Sequence, residues 1–350
     1  VNGHTTVSRT VNATSLNNFH LMSSPVSTGN VEESFQGSYV YRYVGESYDN
    51  IYSFENGANI INGEGLAVSG NGNSGESRIF TGRLNKEDID YDLISTDEWH
   101  LLGNPYPTQM SLSSFYNANS TLIKPTLYFY NESNGSYDSW NADLSIGSSP
   151  AMDLLAIAQG FFAEELTGAT AQVSYTSNMR TIGNDVFMKT KSSQNTDYLK
   201  LSLNKFETIV LWTPETSREQ DIHDAAYLQG TASKGIFSLN NDQMLCVQSV
   251  ESEFETLRIP LGYYDYEGGE NSISISQFPL STNLDIRLID HYENTSQLLN
   301  DVPYHFTSIG THEMLNDRFE LLLGKRSELG VKEIDIENIS VIGHSRAGGI

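Results

Sequence analysis

Residues 198–203, YLKLSL, and 208–212, TIVLW, decide the fold. Both runs are short and rich in aromatic, β-branched and leucine side chains, and they stand only a few residues apart. Such a pair reads as a β-hairpin. The same kind of segment recurs outward in both directions: SYVYRYV at 38–44, TLYFY at 126–130, AQVSYT at 171–176, NSISI at 271–275, LDIRLI at 284–289 and RFELLL at 318–323. Polar connections separate them, and one of these, SGNGNSGES at 69–77, predicts an exposed turn. Helical periodicity is nearly absent, with short helices expected only at 111–116 and 297–299. The pattern predicts an all-β chain built of tandem β-sandwich, jelly-roll-like domains.

The chain has 350 residues, which suits two domains. The polar stretch KTKSSQNT at 189–196 is the natural boundary between them, and a second boundary falls near 324–330. The expected division is 1–189, 190–325, and a linker with the start of a small β-rich terminal domain at 326–350. The opening VNGHTTVSRTVN reads as the middle of a polypeptide, so the chain is expected to be a segment of something longer.

Forty-four acidic residues against 20 basic ones give a net charge of −24. That field repels nucleic acid and anionic lipid, which sets both aside as partners. No apolar run is long enough for a membrane span. The single cysteine, Cys246, sits in QMLCV, where it is expected to be a small buried hydrophobe.

Several longer phrases are more specific than any strand. These are NNFHLMSSPV at 17–26, EWHLLGNPYP at 98–107, QGFF at 159–162, DIHDAAYLQG at 221–230, IPLG at 259–262, LID at 288–290 and NDRF at 316–319. In this order and spacing they resemble the C-terminal regions of large surface proteins of Bacteroidetes, gliding-adhesin-like cargo of the type IX secretion system. The resemblance spans roughly residues 17–345. It implies a non-enzymatic stalk or platform of a secreted adhesin, at the cell surface. The implied partners are the export machinery or an outer-membrane anchoring protein.

Residue chemistry offers a second reading, a carbohydrate-binding module. Trp140, in the turn-rich NGSYDSWNAD, is the best candidate for an exposed stacking ring, with Tyr137 and Tyr106 beside it. The competing reading makes Trp140 a core-capping ring and GNPYP a structural corner, in which Gly103 and Asn104 permit the turn and Pro105 and Pro107 fix it. Glu219, Asp221 and Asp224 form the best acidic cluster for Ca²⁺, with His223 among them, but their spacing is not that of an EF-hand loop. No other cofactor is expected. Asp265, Glu267 and Glu270 are expected to flank a hairpin turn at Gly268-Gly269, and Asp317-Arg318 to form a local ion pair or turn.

Near the end, ISVIGHSRAGG at 339–349 imitates the nucleophile elbow of a serine hydrolase. An elbow needs an acid and a histidine later in the chain, and only five residues follow Ser345. Position 347 is alanine where the motif has glycine. The stretch is expected instead to enter a terminal secretion-signal domain, and no enzyme is expected.

Overall fold

The computed structural model describes residues 4–11, 19–51, 58–70, 76–148, 153–166, 172–181, 197–212, 214, 216–217, 219, 221–279 and 283–325. The stretches 189–196 and 326–350, on which the boundary and elbow readings fall, lie outside these residues, as do 71–75 of the 69–77 turn. The fold is all-β. Among the described residues, strands between Thr5 and Thr181 pair only with one another, and so do those between Asp197 and Lys325.

The first unit is built around a five-stranded antiparallel sheet. Its order is Ile146–Gly147, Ser136–Asn141, Ile123–Asn131, Gly160–Glu165, Trp99–Gly103. All six residues of GFFAEE are buried, because this sheet has a core on each face. Side chains alternate along a strand. Phe161 and Ala163 therefore join Leu102, Leu127, Phe129 and Trp140 on one side. Phe162 joins Leu101 and Tyr128 on the other. Smaller sheets and the helix Leu112–Asn119 close the flanks, and the Ser111 hydroxyl caps that helix by accepting from the Ser114 amide at 3.1 Å.

The second unit is one strongly curved sheet that nearly closes on itself. Its order is Thr295–Leu298, Leu284–Asp290, Leu315–Lys325, Thr256–Asp265, Lys234–Asn240, Gln243–Val250, Phe206–Trp212, Asp197–Leu203, Gly269–Gln277, Tyr304–Ser308. The opening pair of runs is its central hairpin, with Leu199 opposite Val210 and Leu203 opposite Phe206. The pairing of Phe206–Trp212 with Gln243–Val250 is parallel. The helix expected at 297–299 is corrected: Gln297 and Leu298 close the strand Thr295–Leu298 and Leu299 begins a turn, because so short a segment cannot repay helix nucleation. It gains partners by pairing with Leu284–Asp290, and Gln297 holds the following turn by donating to the Val302 and Pro303 carbonyls at 3.1 and 3.0 Å.

The two units meet sheet against sheet. Val210 and Trp212 point into the second unit's own core, among Leu201, Ile259, Leu288 and Leu321. Ile209 and Leu211 point the other way, into the cluster that holds Phe162, Tyr128 and Leu101 of the first unit, together with Ala225, Cys246 and Val247. IVLW, 209–212, is thus an unbroken apolar run because both its faces are covered. Cys246 lies in this contact, where burial pushes its thiol up to about 12. Such a thiol is inert at neutral pH.

Arg318 does not pair with its neighbour Asp317. It crosses to Asp290 on the adjacent strand, with Nη2 to Oδ2 at 2.8 Å and Nε to Oδ1 at 3.2 Å. The guanidinium lies over the rings of Phe306 and Phe319 at 4.7 and 4.9 Å. Tyr304 donates to the same carboxylate at 2.8 Å. Burial alone raises the Asp290 carboxyl, but the bonds from Arg318, Tyr304 and the Glu293 amide outweigh it and hold the group below its ordinary value. A depressed carboxyl adds stability above its unfolded pKa of about 3.9 and loses it as pH falls through the folded value. Urea midpoints are therefore expected to fall in the window below about pH 4. The Asp290→Asn variant, weaker at pH 7, is expected to show a flatter decline there.

Candidate functional site

The structure buries two of the three rings that sequence reading offered to a sugar, Trp140 and Tyr106. Trp140 is 4% exposed and packs in the first unit's core, so the expectation of an exposed stacking ring is corrected. It sits there because Ser136–Asn141 pairs between two other strands and Trp140 takes the inward position opposite Leu127. Tyr106 is fully buried, and its hydroxyl donates to the Tyr175 carbonyl at 2.9 Å. GNPYP is a structural corner. The Asn104 amide donates to the Thr108 and Ala156 carbonyls at 2.8 and 3.0 Å, and its oxygen accepts from the Tyr106 amide at 3.0 Å. A Cβ on Gly103 would stand 2.3 Å from Ser23 Cβ, so SSPV and GNPYP touch only because this residue has no side chain. Asn104→Ala removes these three bonds, leaving the Ala156 carbonyl only the Gln159 amide at 3.3 Å, and is expected to lower stability by about 1–3 kcal/mol, measured by thermal melting.

The acidic cluster dissolves in the same way. Asp224 is 4% exposed and accepts from the Ser249 and Asp221 amides at 2.6 and 3.1 Å. Asp221 accepts from the His223 amide at 3.0 Å, and Glu219 is exposed. Asp224 is a loop fastener, its carboxyl raised by burial despite those bonds. Among the described residues, no group of three or more His, Cys, Asp or Glu is arranged to hold a metal ion. Gly268 and Gly269, both at positive φ, do turn the chain after Asp265, but the expected hairpin is corrected, because Thr256–Asp265 and Gly269–Gln277 pair with other strands and not with each other.

What sequence reading missed is a junction cavity of about 240 Å³ between the units. The first unit lines it with Asn131, Asn134, Tyr137 and Asp138, the second with Lys205, Phe206, Glu207 and Tyr227. Tyr137, a candidate from the sequence, is thus placed at a cavity, but without Trp140 and Tyr106. Burial raises the phenols of Tyr137 and Tyr227, so both are neutral hydroxyls at physiological pH. Glu207 Oε2 is buried without a hydrogen-bond donor, with Lys200 Nζ 3.7 Å away. Around the cavity the units grip each other through polar contacts. Tyr130 meets Thr231 at 2.7 Å, and the Ala232 amide donates to the Gly135 carbonyl at 2.9 Å. A Cβ on Gly230 would stand 2.0 Å from that carbonyl oxygen. No signal in the sequence marks the cavity, since its two walls lie some seventy residues apart along the chain.

The molecule is therefore defined as an all-β protein of two units fused through a sheet covered on both faces, with a small polar and aromatic cavity at the seam. The chain belongs to the family described as a domain of unknown function, DUF8693, whose model matches residues 1–323. No curated protein and no solved structure matches the chain.

Proposed function

We infer that this chain is a non-enzymatic platform near the C-terminus of a surface adhesin exported by the type IX secretion system. The observation that carries the reading is the ordered set of phrases that resembles such C-terminal regions, above all EWHLLGNPYP, QGFF and NDRF. The structure supports it in one physical respect. The residues of these phrases serve packing: Asn104 and Tyr106 fasten a corner, Phe161 and Phe162 fill the two faces of one sheet, and Arg318 neutralises Asp290. A body fastened in this way transmits load without needing a reactive centre. Its net charge of −24 suits a solvated exterior. The partners on this reading are the export machinery or an outer-membrane anchor.

Antibody labelling of intact cells tests it. Cells with a working type IX system are expected to expose the protein, and cells lacking that system to retain it in the periplasm. Retention in the cytoplasm of both would overturn the reading.

A second reading, saccharide binding, now rests on the junction cavity and no longer on Trp140. Three aromatic side chains with amides and carboxylates suit a neutral sugar ring, and the volume lies below the roughly 300 Å³ floor for drug-sized ligands. A glycan array read with Ca²⁺ and with chelator tests it. Binding that Glu207→Gln weakens and chelator leaves intact is the expected result on this reading, and silence removes it.

A further inference from the structure

The turn at Gly268-Gly269 encloses a cluster whose parts match those of a self-catalysed acyl transfer. Lys234 opens the strand Lys234–Asn240, Asp265 ends Thr256–Asp265, and Asn271 lies on Gly269–Gln277. Asp265 is 1% exposed and Asn271 2%. The Lys234 Nζ stands 3.0 Å from the Asn271 side-chain oxygen, one bond from its carbonyl carbon. A single carboxylate oxygen, Asp265 Oδ2, stands 2.9 Å from that amine and 2.8 Å from the Asn271 amide nitrogen. The Asn204 amide donates to the same Asn271 oxygen at 2.9 Å. One group is thus placed as nucleophile, one as carbonyl, one between attacking and leaving nitrogens, and one on the oxygen where negative charge develops.

We propose that Lys234 and Asn271 join in an intramolecular isopeptide bond, with Asp265 as the proton shuttle and Asn204 as the oxyanion donor. The resting cluster is an ion pair. Burial raises the Asp265 carboxyl, but bonds from Ser308, Lys234, Asn271 and the Gly268 amide bring it down to about 2. The step begins when one proton passes from the ammonium to Asp265 along their shared hydrogen bond. The free amine attacks the Asn271 carbonyl carbon, forming a C–N bond and placing charge on the oxygen held by Asn204. The proton on Asp265 then passes to the amide nitrogen, the C–N bond to that nitrogen breaks, and ammonia leaves. The lysine nitrogen gives up its second proton to the Asp265 carboxylate, which hands it on to the departing ammonia; ammonium is released and the carboxylate ends as it began. Nothing is oxidised or reduced, and no co-reactant is needed. The ion-paired resting state makes the step slow. It occurs once per molecule and departure of ammonia makes it irreversible, so slowness does not prevent completion.

The product is a covalent staple between strands that are not neighbours in the sheet. Lys234–Asn240 pairs with Thr256–Asp265, whereas Gly269–Gln277 pairs with Asp197–Leu203 and Tyr304–Ser308. The inference does not rest on the adhesin reading, although a staple of this kind suits a body under load.

Intact-mass measurement of the purified, aged and denatured chain is the test, followed by peptide mapping. The expected result is a mass lower by one ammonia, with a branched peptide linking Lys234 to Asn271. Asp265→Asn and Lys234→Met are expected to restore the full mass. A full mass in the wild-type chain would overturn the proposal. So would an ammonia lost elsewhere, as in a succinimide at Asn134-Gly135, which the peptide map distinguishes. A closed bond in Asp265→Asn would overturn the role given to Asp265.

Discussion

Arg318→Ala lowers the free energy of unfolding by about 3–5 kcal/mol, the range for breaking a buried ion pair from one side. The reason is the partner left behind. Asp290 is fully buried, and without the guanidinium its carboxylate keeps only the Tyr304 hydroxyl and backbone amides of the following turn. The arginine also loses its seat over Phe306 and Phe319. Replacing the pair together, Arg318→Met with Asp290→Leu, is expected to recover most of the loss, because two apolar side chains need no counter-charge. Urea midpoints of the three proteins measure this. A single-variant loss below about 1 kcal/mol would put the pair among surface bridges and contradict the account.

Leu211→Ala and Phe162→Ala, at the seam between the units, lower stability by about 2–5 and 3–5 kcal/mol respectively. Each removes a side chain from one shared cluster, Leu211 from the second unit and Phe162 from the first. The cavity left behind cannot close without moving a whole sheet, so each cost is expected near the upper end of its range. Because both residues belong to one cluster, the double variant is expected to depart from additivity by about 0.5–3 kcal/mol. Strict additivity would show that the units do not share a core.

The fold was legible where periodicity was strong. The hairpin of 197–212 and the strands around 126–130, 284–289 and 318–323 follow from runs of aromatic and β-branched residues. The helix at 112–119 follows from a serine cap before Leu112, Phe115 and Tyr116. The 297–299 segment misled because a few residues carry no measurable period, and adding to Leu284–Asp290 as the edge strand of the sheet decided their state. Trp140 misled for another reason. Its neighbours in sequence are turn residues, whereas its neighbours in space are Leu127 across the sheet and the core beneath it. Composition along the chain reports the first and not the second.

The candidate sites were less legible. Asp221 and Asp224 read as cation ligands by type, yet they serve backbone amides of their own loop and of Ser249, which only folding brings near. The cluster at Lys234, Asp265, Asn271 and Asn204 draws on four separate segments. Its one outward sign was the Gly268-Gly269 turn that sets Asn271 beside Asp265. The phrases GNPYP, LID and NDRF were conspicuous as text, and their residues turn out to hold corners and charges in place.

The central claim is that the two units are one folding body sealed through the sheet that carries Cys246. The most direct test follows thiol labelling of Cys246 and circular dichroism together through a guanidinium series. The account predicts a single transition in which labelling and loss of β-structure coincide, because the thiol is reached only when the seam opens and the seam opens only with the whole molecule. Labelling that runs well ahead of the loss of β-structure would show the units parting while each stays folded, and would contradict it.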